Sequence, residues 1–373
     1  MRIPLLLAST VVTVAVLVPV RTVDAASVIE HPCAGTWRVV PTPSVSEPAA
    51  FLGIAMIPGT RMLWAVGHDG AQGLIEEWSG RAWDVVPSPS VGDTNLFGVT
   101  AASAADAWAV GISYATGVGQ TFIERWDGTA WSVVPSPNAS ASFNGLLSVT
   151  SSGNRAIAVG DFVPRGSSGS QPLIERWNGS SWRLQRSPSV TAGASLASVT
   201  RVPGAPDAWA VGSEPSGSGT LVEHWDGTVW TVVPDAGPPA GASLMGVTAL
   251  APDDVVAVGR VLTSRKSYGP FAERWDGTAW TAMPTQVMHP SGSLEAVAMS
   301  SATNGWAVGY QYQKSGVSTP LVERWDGSGW SVVLSPVVNY GVLFGVARGA
   351  RGSIFAAGYV DGTAPSNTLA ESC

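Results

Sequence analysis

An all-β fold, with seven four-stranded antiparallel sheets set in a ring, is what this 373-residue sequence predicts, and three observations predict it. A segment of the form Glu-x-Trp-x-Gly-x-x-Trp recurs six times. Its first Trp falls at Trp78, Trp126, Trp177, Trp225, Trp275 and Trp325, in steps of 48, 51, 48, 50 and 50 residues. A glycine closing a short apolar run recurs seven times, at Gly67, Gly111, Gly160, Gly212, Gly259, Gly309 and Gly358. The chain then stops inside a seventh unit, and the missing piece of that unit stands near its beginning. Repeats of about 50 residues built of short strands and turns are the mark of a seven-bladed β-propeller here.

Each unit reads as four strands. The first is Leu-x-x-Val, ending in Ile54, Val99, Val149, Val199, Val247, Val297 and Val346; the second is Trp-Ala-Val-Gly. The third is Leu-Ile-Glu-Arg-Trp and the fourth Trp-x-Val-Val-Pro. Asp-Gly between the third and fourth is a strong hairpin signal, because both residues tolerate positive φ. The Asp of that turn (Asp127, Asp226, Asp276, Asp326) is expected to bond its own turn backbone. Helical periodicity is absent.

Glu371-Ser372-Cys373 stands where earlier units carry Glu-Arg-Trp, so the last unit has three strands. Thr36-Trp37-Arg38-Val39-Val40-Pro41 matches the fourth strand and is expected to complete the seventh blade. The only two cysteines, Cys33 and Cys373, fall at that shared hairpin. A disulfide between them would lock the ring, worth roughly 5–6 kcal/mol on the chain-entropy formula.

All 17 tryptophans fall on three positions of the repeat frame, and Ile157, Val256 and Phe355 take the second-strand position elsewhere. That pattern reads as packing between blades rather than as a ligand surface. The third-strand glutamate occurs in all seven units, as Glu76, Glu124, Glu175, Glu223, Glu273, Glu323 and Glu371. A sevenfold residue is no single catalytic acid. Neighbouring strand residues point to opposite faces, so each Glu is expected to meet an Arg or backbone N–H of the adjacent blade. Glu175→Gln is accordingly expected to lower stability without abolishing one specific activity.

Met1-Arg2, the apolar run to Val20 and Val23-Asp24-Ala25-Ala26 read as a signal peptide over residues 1–25. Residues 26–373 then form a single propeller domain, with a short lead to about residue 32. No later segment is apolar enough to span a bilayer as a helix. The mature chain is expected to be secreted, extracellular and monomeric. A net charge of −7 without a basic run argues against a nucleic-acid partner. His31, His68, His224 and His289 lack metal-ligand spacing. No catalytic motif is present, and no metal or cofactor is expected.

The units resemble kelch-type and galactose-oxidase-type seven-bladed propellers, over roughly residues 33–373. The match is architectural. Kelch units carry two adjacent glycines after the second strand, where this chain has one, as in Val110-Gly111, and a Trp–Trp pair. A copper site of the oxidase kind would need a Cys–Tyr crosslink and His ligands, and both cysteines here are assigned elsewhere. The activity is therefore not carried over.

In such a ring the first strand lines the channel. The second-to-third loops share one face with the links between blades, and these are the segments that vary. The off-frame aromatics Tyr114, Tyr268, Tyr310, Tyr312 and Tyr359 fall in those loops, and Phe143 and Tyr340 in the links. They are the candidate ligand-binding residues. Nearly charge-free linkers point to a neutral ligand or a protein surface. The leading expectation is a non-enzymatic propeller for extracellular binding or scaffolding of a protein or carbohydrate. The alternative is a carbohydrate-active enzyme with its site at the same mouth, for which Asp93, Asp161 and Asp235 are the obvious acids.

Overall fold

A computed structural model describes residues 33, 36–43, 45, 48–89, 92–189, 192–215, 219–235, 241–264, 267–286, 291–337, 339–361 and 367–373. The expected signal peptide and the lead that follows it lie outside the described residues. Seven four-stranded antiparallel sheets are present, and in six of them strand order follows chain order. The seventh joins Gly341–Arg348, Ile354–Val360 and Asn367–Ser372 to the N-terminal strand Arg38–Val40. Arg38 pairs with Ser372, Val39 with Glu371 and Val40 with Ala370. The Cys33–Cys373 disulfide joins the termini beside this pairing, with its Cα atoms 5.0 Å apart. Blades are numbered 1–7 from the inner strands Ala49–Met56, Thr94–Ser103, Phe143–Ser152, Ser195–Arg201, Ser243–Ala251, Ser291–Ser301 and Gly341–Arg348. No α-helix occurs among the described residues, and none is long and apolar enough to cross a membrane.

Every inner strand carries a β-bulge in its Leu-x-x-Val segment, as between Leu96 and Gly98 or Leu294 and Ala296. One extra residue is thereby pushed out of the ladder. The same bulge explains the sevenfold glycine of the second strand. The inner strand's carbonyl, that of Ala50 over Gly67 and Asn95 over Gly111, occupies the space a Cβ would need. No side chain fits there.

Packing is between blades rather than within them, each apolar cluster spanning two neighbours. Trp64 of blade 1 stands 5.1 and 5.2 Å from Trp126 and Trp131 of blade 2. Trp108 of blade 2 stands 4.9 and 5.2 Å from Trp177 and Trp182 of blade 3. Trp37 of the N-terminal strand meets Trp306 of blade 6 at 5.5 Å, so closing the ring also completes a core.

All seven third-strand glutamates are buried. The expected backbone N–H of the adjacent blade faces two of them, Ser189 at Glu223 and Gln286 at Glu323, whereas the expected Arg is replaced by a hydroxyl. In four seams the carboxylate accepts a hydrogen bond from a serine just past the preceding blade's outer strand. The pairs are Ser88 to Glu124 (2.8 Å), Ser136 to Glu175 (2.8 Å), Ser187 to Glu223 (2.6 Å) and Ser335 to Glu371 (2.7 Å). The following Arg points the other way, toward the next blade's tryptophan: Arg125 lies 5.7 Å from the Trp177 ring and Arg176 5.0 Å from Trp225. Arg125 and Glu175 thus enter the same seam from its two sides but take different partners, the Trp177 ring and the Ser136 hydroxyl. At the hairpins, Asp127 Oδ1 accepts from the Thr129 and Ala130 amides at 2.8 and 2.9 Å, and Gly128 has φ 100°. The Thr129 hydroxyl and these amides hold Asp127 down at about 2.

Candidate functional site

Two sets of side chains escape the repeat, one lining the channel and one following the second-strand glycines. The bulged residues are Leu52, Phe97, Leu147, Ala197, Met245, Glu295 and Phe344, around a channel of about 360 Å³. Six are apolar and one is a carboxylic acid. The second ring holds the residue after each second-strand glycine: His68, Ile112, Asp161, Ser213, Arg260, Tyr310 and Tyr359. The fold fixes the backbone at these fourteen positions and leaves the side chains free to differ, which is what a recognition surface on a rigid frame requires.

The rings converge between blades 5 and 6. There a cleft of about 470 Å³ opens on the face of the second-to-third hairpins, lined by Arg260, Tyr268, Tyr310, Tyr312 and Lys314 among others. Arg260 stands over the Tyr268 ring at 4.7 Å, and Tyr310 packs edge-on to Tyr312 at 5.4 Å. The Arg260 guanidinium makes no ion pair among the described residues, and its buried Nε has no hydrogen-bond partner. Burial, then the nearby Glu295 carboxylate, raises the Tyr310 hydroxyl above its ordinary value, while Arg260 opposes them. Burial also raises Glu295, against Arg260. The cleft thus presents aromatic faces and a cation hydrogen-bonded to Tyr310, with the Glu295 carboxyl of the channel ring close by.

Tyr268, Tyr310 and Tyr312 therefore come together as binding candidates. They sit on strands rather than loops, because blade 5's third strand starts at Ser267 and blade 6's second strand runs through Tyr312. Tyr359 lies beside this group, stacked on Phe344 at 5.9 Å. Tyr340, at φ 60°, is exposed in the blade 6–7 link, its carbonyl accepting from the Asp361 amide. Tyr114 and Phe143 form a separate pair around Gly119 on blades 2 and 3.

The acids do not assemble. Asp161 sits on the blade 3 part of the ring, where burial pushes it up to about 6. Asp93 lies near His68 of blade 1, whose value burial lowers. Asp235 is not a mouth residue: it occupies the serine position of the seam, accepts from the Thr220 hydroxyl at 2.6 Å and faces Glu273. Burial first, then Asp235, pushes Glu273 to about 9. Arg260 and Glu295 escaped sequence reasoning because neither is aromatic; tabulating the residue after each glycine would have exposed the first. Both lie on strands, beside linkers that are themselves nearly free of charge.

No family model matches the sequence, and no curated protein matches it. Solved structures do. The chain is similar to YCF48 bound to a D1 peptide, with TM-score 0.55, 16% identity, and coverage of 91% of this chain and 98% of that one. It is similar also to YCF48 from Cyanidioschyzon merolae, with TM-score 0.57, 16% identity, and coverage of 90% and 98%. At that identity the likeness concerns the fold, and the class it defines is the seven-bladed β-propeller.

Proposed function

We propose that this protein is a secreted, monomeric, non-enzymatic propeller that binds a segment of another protein in the cleft between blades 5 and 6. The observation that carries the reading is the cleft itself: Tyr268, Tyr310 and Tyr312 around Arg260, which makes no ion pair within 4 Å among the described residues. Tyrosines offer large, rigid contact area at low entropic cost, and Arg and Tyr are enriched where binding energy concentrates. The structural likeness to a propeller bound to a peptide supports the same direction. The likeness to kelch-type and galactose-oxidase-type rings concerns architecture alone in this reading. The carbohydrate-enzyme alternative is disfavoured because Asp161 and Glu295 belong to different blades.

Export follows from the leader, and N-terminal sequencing of secreted material is expected to show cleavage near Ala25. For binding, a random-peptide display library and a glycan array are presented to the mature protein. Enrichment of peptides that lose binding to Tyr310→Ala supports the proposal. Turnover of a glycan without peptide enrichment overturns it.

A further inference from the structure

The lower face, which carries the third-to-fourth hairpins, holds a charge arrangement that the upper cleft does not explain. In blades 2 and 5 the third-strand arginine is neutralised by an aspartate at the start of its own second strand. Arg125 reaches Asp106 at 2.9 Å and Arg274 reaches Asp254 at 2.8 Å. Blade 4 pairs His224 with Asp207 at 3.7 Å, and blade 6 carries the neutral Asn304. In blade 3 the same position is Arg155. An arginine has replaced the acid that would have paired with Arg176.

Two further arginines join it. Arg183 lies directly opposite Arg176 on the outer strand, a like-charge cross-strand pair that costs stability. Arg201 ends the inner strand of blade 4, and its register with Ala208 turns it toward blade 3. The Arg348 at the same place in blade 7 instead donates to the Met299 carbonyl at 3.4 Å. The Nε atoms of Arg176 and Arg201 are buried without a hydrogen-bond partner, and none of the four arginines makes an ion pair among the described residues. Between residues 155 and 201 the chain carries six arginines and only two acids, Asp161 and Glu175. Asp161 is at the opposite end of its strand, and Glu175 faces blade 2 through Ser136.

We propose that the lower rim between blades 3 and 4 is a binding site for a divalent tetrahedral oxyanion, a phosphate or sulfate group held by Arg155, Arg176 and Arg201. Guanidinium forks match such oxygens bidentately, and a dianion offsets repulsion among three cations better than one carboxylate would. Burial, then Arg155, lowers the Arg176 value; burial, then Arg176 and Arg155, lowers Arg201. An anion reverses the repulsive part of both. Arg176 is fixed from behind by the Trp225 ring, 5.0 Å away, so the site is preorganised.

The test is thermal unfolding of the whole mature chain in sulfate against chloride at matched ionic strength. About 10 mM sulfate is expected to raise Tm by about 2–4 °C. Arg155→Asp restores the pairing of blades 2 and 5; its Tm in chloride is expected to exceed wild type and to lose the sulfate response. Arg201→Gln, a milder change, is expected to weaken that response at least ~3-fold in apparent affinity. Calorimetry with inorganic phosphate and with glycerol phosphate separates the sources: tighter binding of the ester supports an ester-borne group, tighter binding of the ion a free one. A wild-type Tm equal in sulfate and chloride, or an Arg155→Asp variant responding as wild type does, overturns the proposal.

Discussion

The seam between blades 2 and 3 and the seam between blades 5 and 6 are cut from the same repeat and fastened differently. In the first, Trp108 sits between Trp177 and Trp182, Arg125 lies over Trp177, and Ser136 donates to Glu175. In the second, Val256 stands in the Trp position. Thr285 stands in the Ser position and donates to Pro270 of its own blade at 2.9 Å. Glu323 receives no hydroxyl there and faces only the Gln286 backbone N–H. The candidate cleft opens at the upper end of that second seam. The second seam is crossed instead by Arg274 donating to the Ala302 carbonyl at 3.2 Å and by the Trp330 amide donating to the Pro284 carbonyl at 3.3 Å. The difference teaches that equivalent seams of one ring need not be fastened by the same residues, and the proposed cleft lies at the seam without the tryptophan and the Ser–Glu bond.

The largest contrast is apolar. Trp108→Ala is expected to cost about 3–5 kcal/mol, because it empties the space between two neighbouring rings. Val256→Ala is expected to cost clearly less, as read by denaturant unfolding of both variants. Equal losses would mean that the seams are fastened alike.

The next contrast is in pH. Burial raises Glu124, Glu223 and Glu371 to about 7, Glu175 and Glu323 to about 8, and Glu273 to about 9. A carboxyl whose folded value lies above its unfolded one adds stability that is complete below the unfolded value and is lost as pH rises through the folded one. Stability is therefore expected to fall from about pH 5 to about pH 9 as these groups lose their protons. The Asp235–Glu273 seam holds its proton longest. Tm measured across that range checks the sign, and a rise with pH would contradict it.

Single-group changes sharpen the comparison further. Glu175→Ala removes the acceptor of Ser136 and is expected to cost about 1–3 kcal/mol, whereas Glu323→Ala breaks no such bond and is expected to cost less. The sequence alone led to an expected loss for Glu175→Gln. With the acid held protonated, the amide is nearly isosteric, so the expected effect becomes a small cost at neutral pH and a shallower decline at high pH. The smallest effect is a gain. Thr285→Ser keeps the hydroxyl and removes the methyl group, letting the hydroxyl turn from the Pro270 carbonyl to Glu323 as in the Ser–Glu seams, and is expected to add about 0.5–1.5 kcal/mol.

The architecture was legible because it is written seven times. The Gly of Trp-Ala-Val-Gly, the Asp-Gly turn and the split last blade each appear as a frame position, and each is a backbone or packing requirement. The Ser–Glu fastening was present in the letters but hidden, since Ser88 and Glu124 belong to different units, 36 residues apart. The inner bulge was invisible because Leu-x-x-Val reads as plain strand, so Glu295 passed as a filler position. Of the binding face, the off-frame tyrosines were found as aromatics, while Arg260 was missed as a single charge among neutral linkers. The lower arginine group was missed for the opposite reason: Arg176 looked like repeat, and only its partner, Arg155, departs from the frame.

Recognition at the seam between blades 5 and 6 is the account's central claim, and affinity for a display-selected peptide tests it most directly. Titration of the mature protein is expected to lose at least ~10-fold in Kd on Arg260→Gln, the loss of one charge-assisted contact. Tyr114→Ala, on the blade 2–3 side of the same face, is expected to leave Kd unchanged. Equal weakening by both, or a loss confined to Tyr114→Ala, would contradict it.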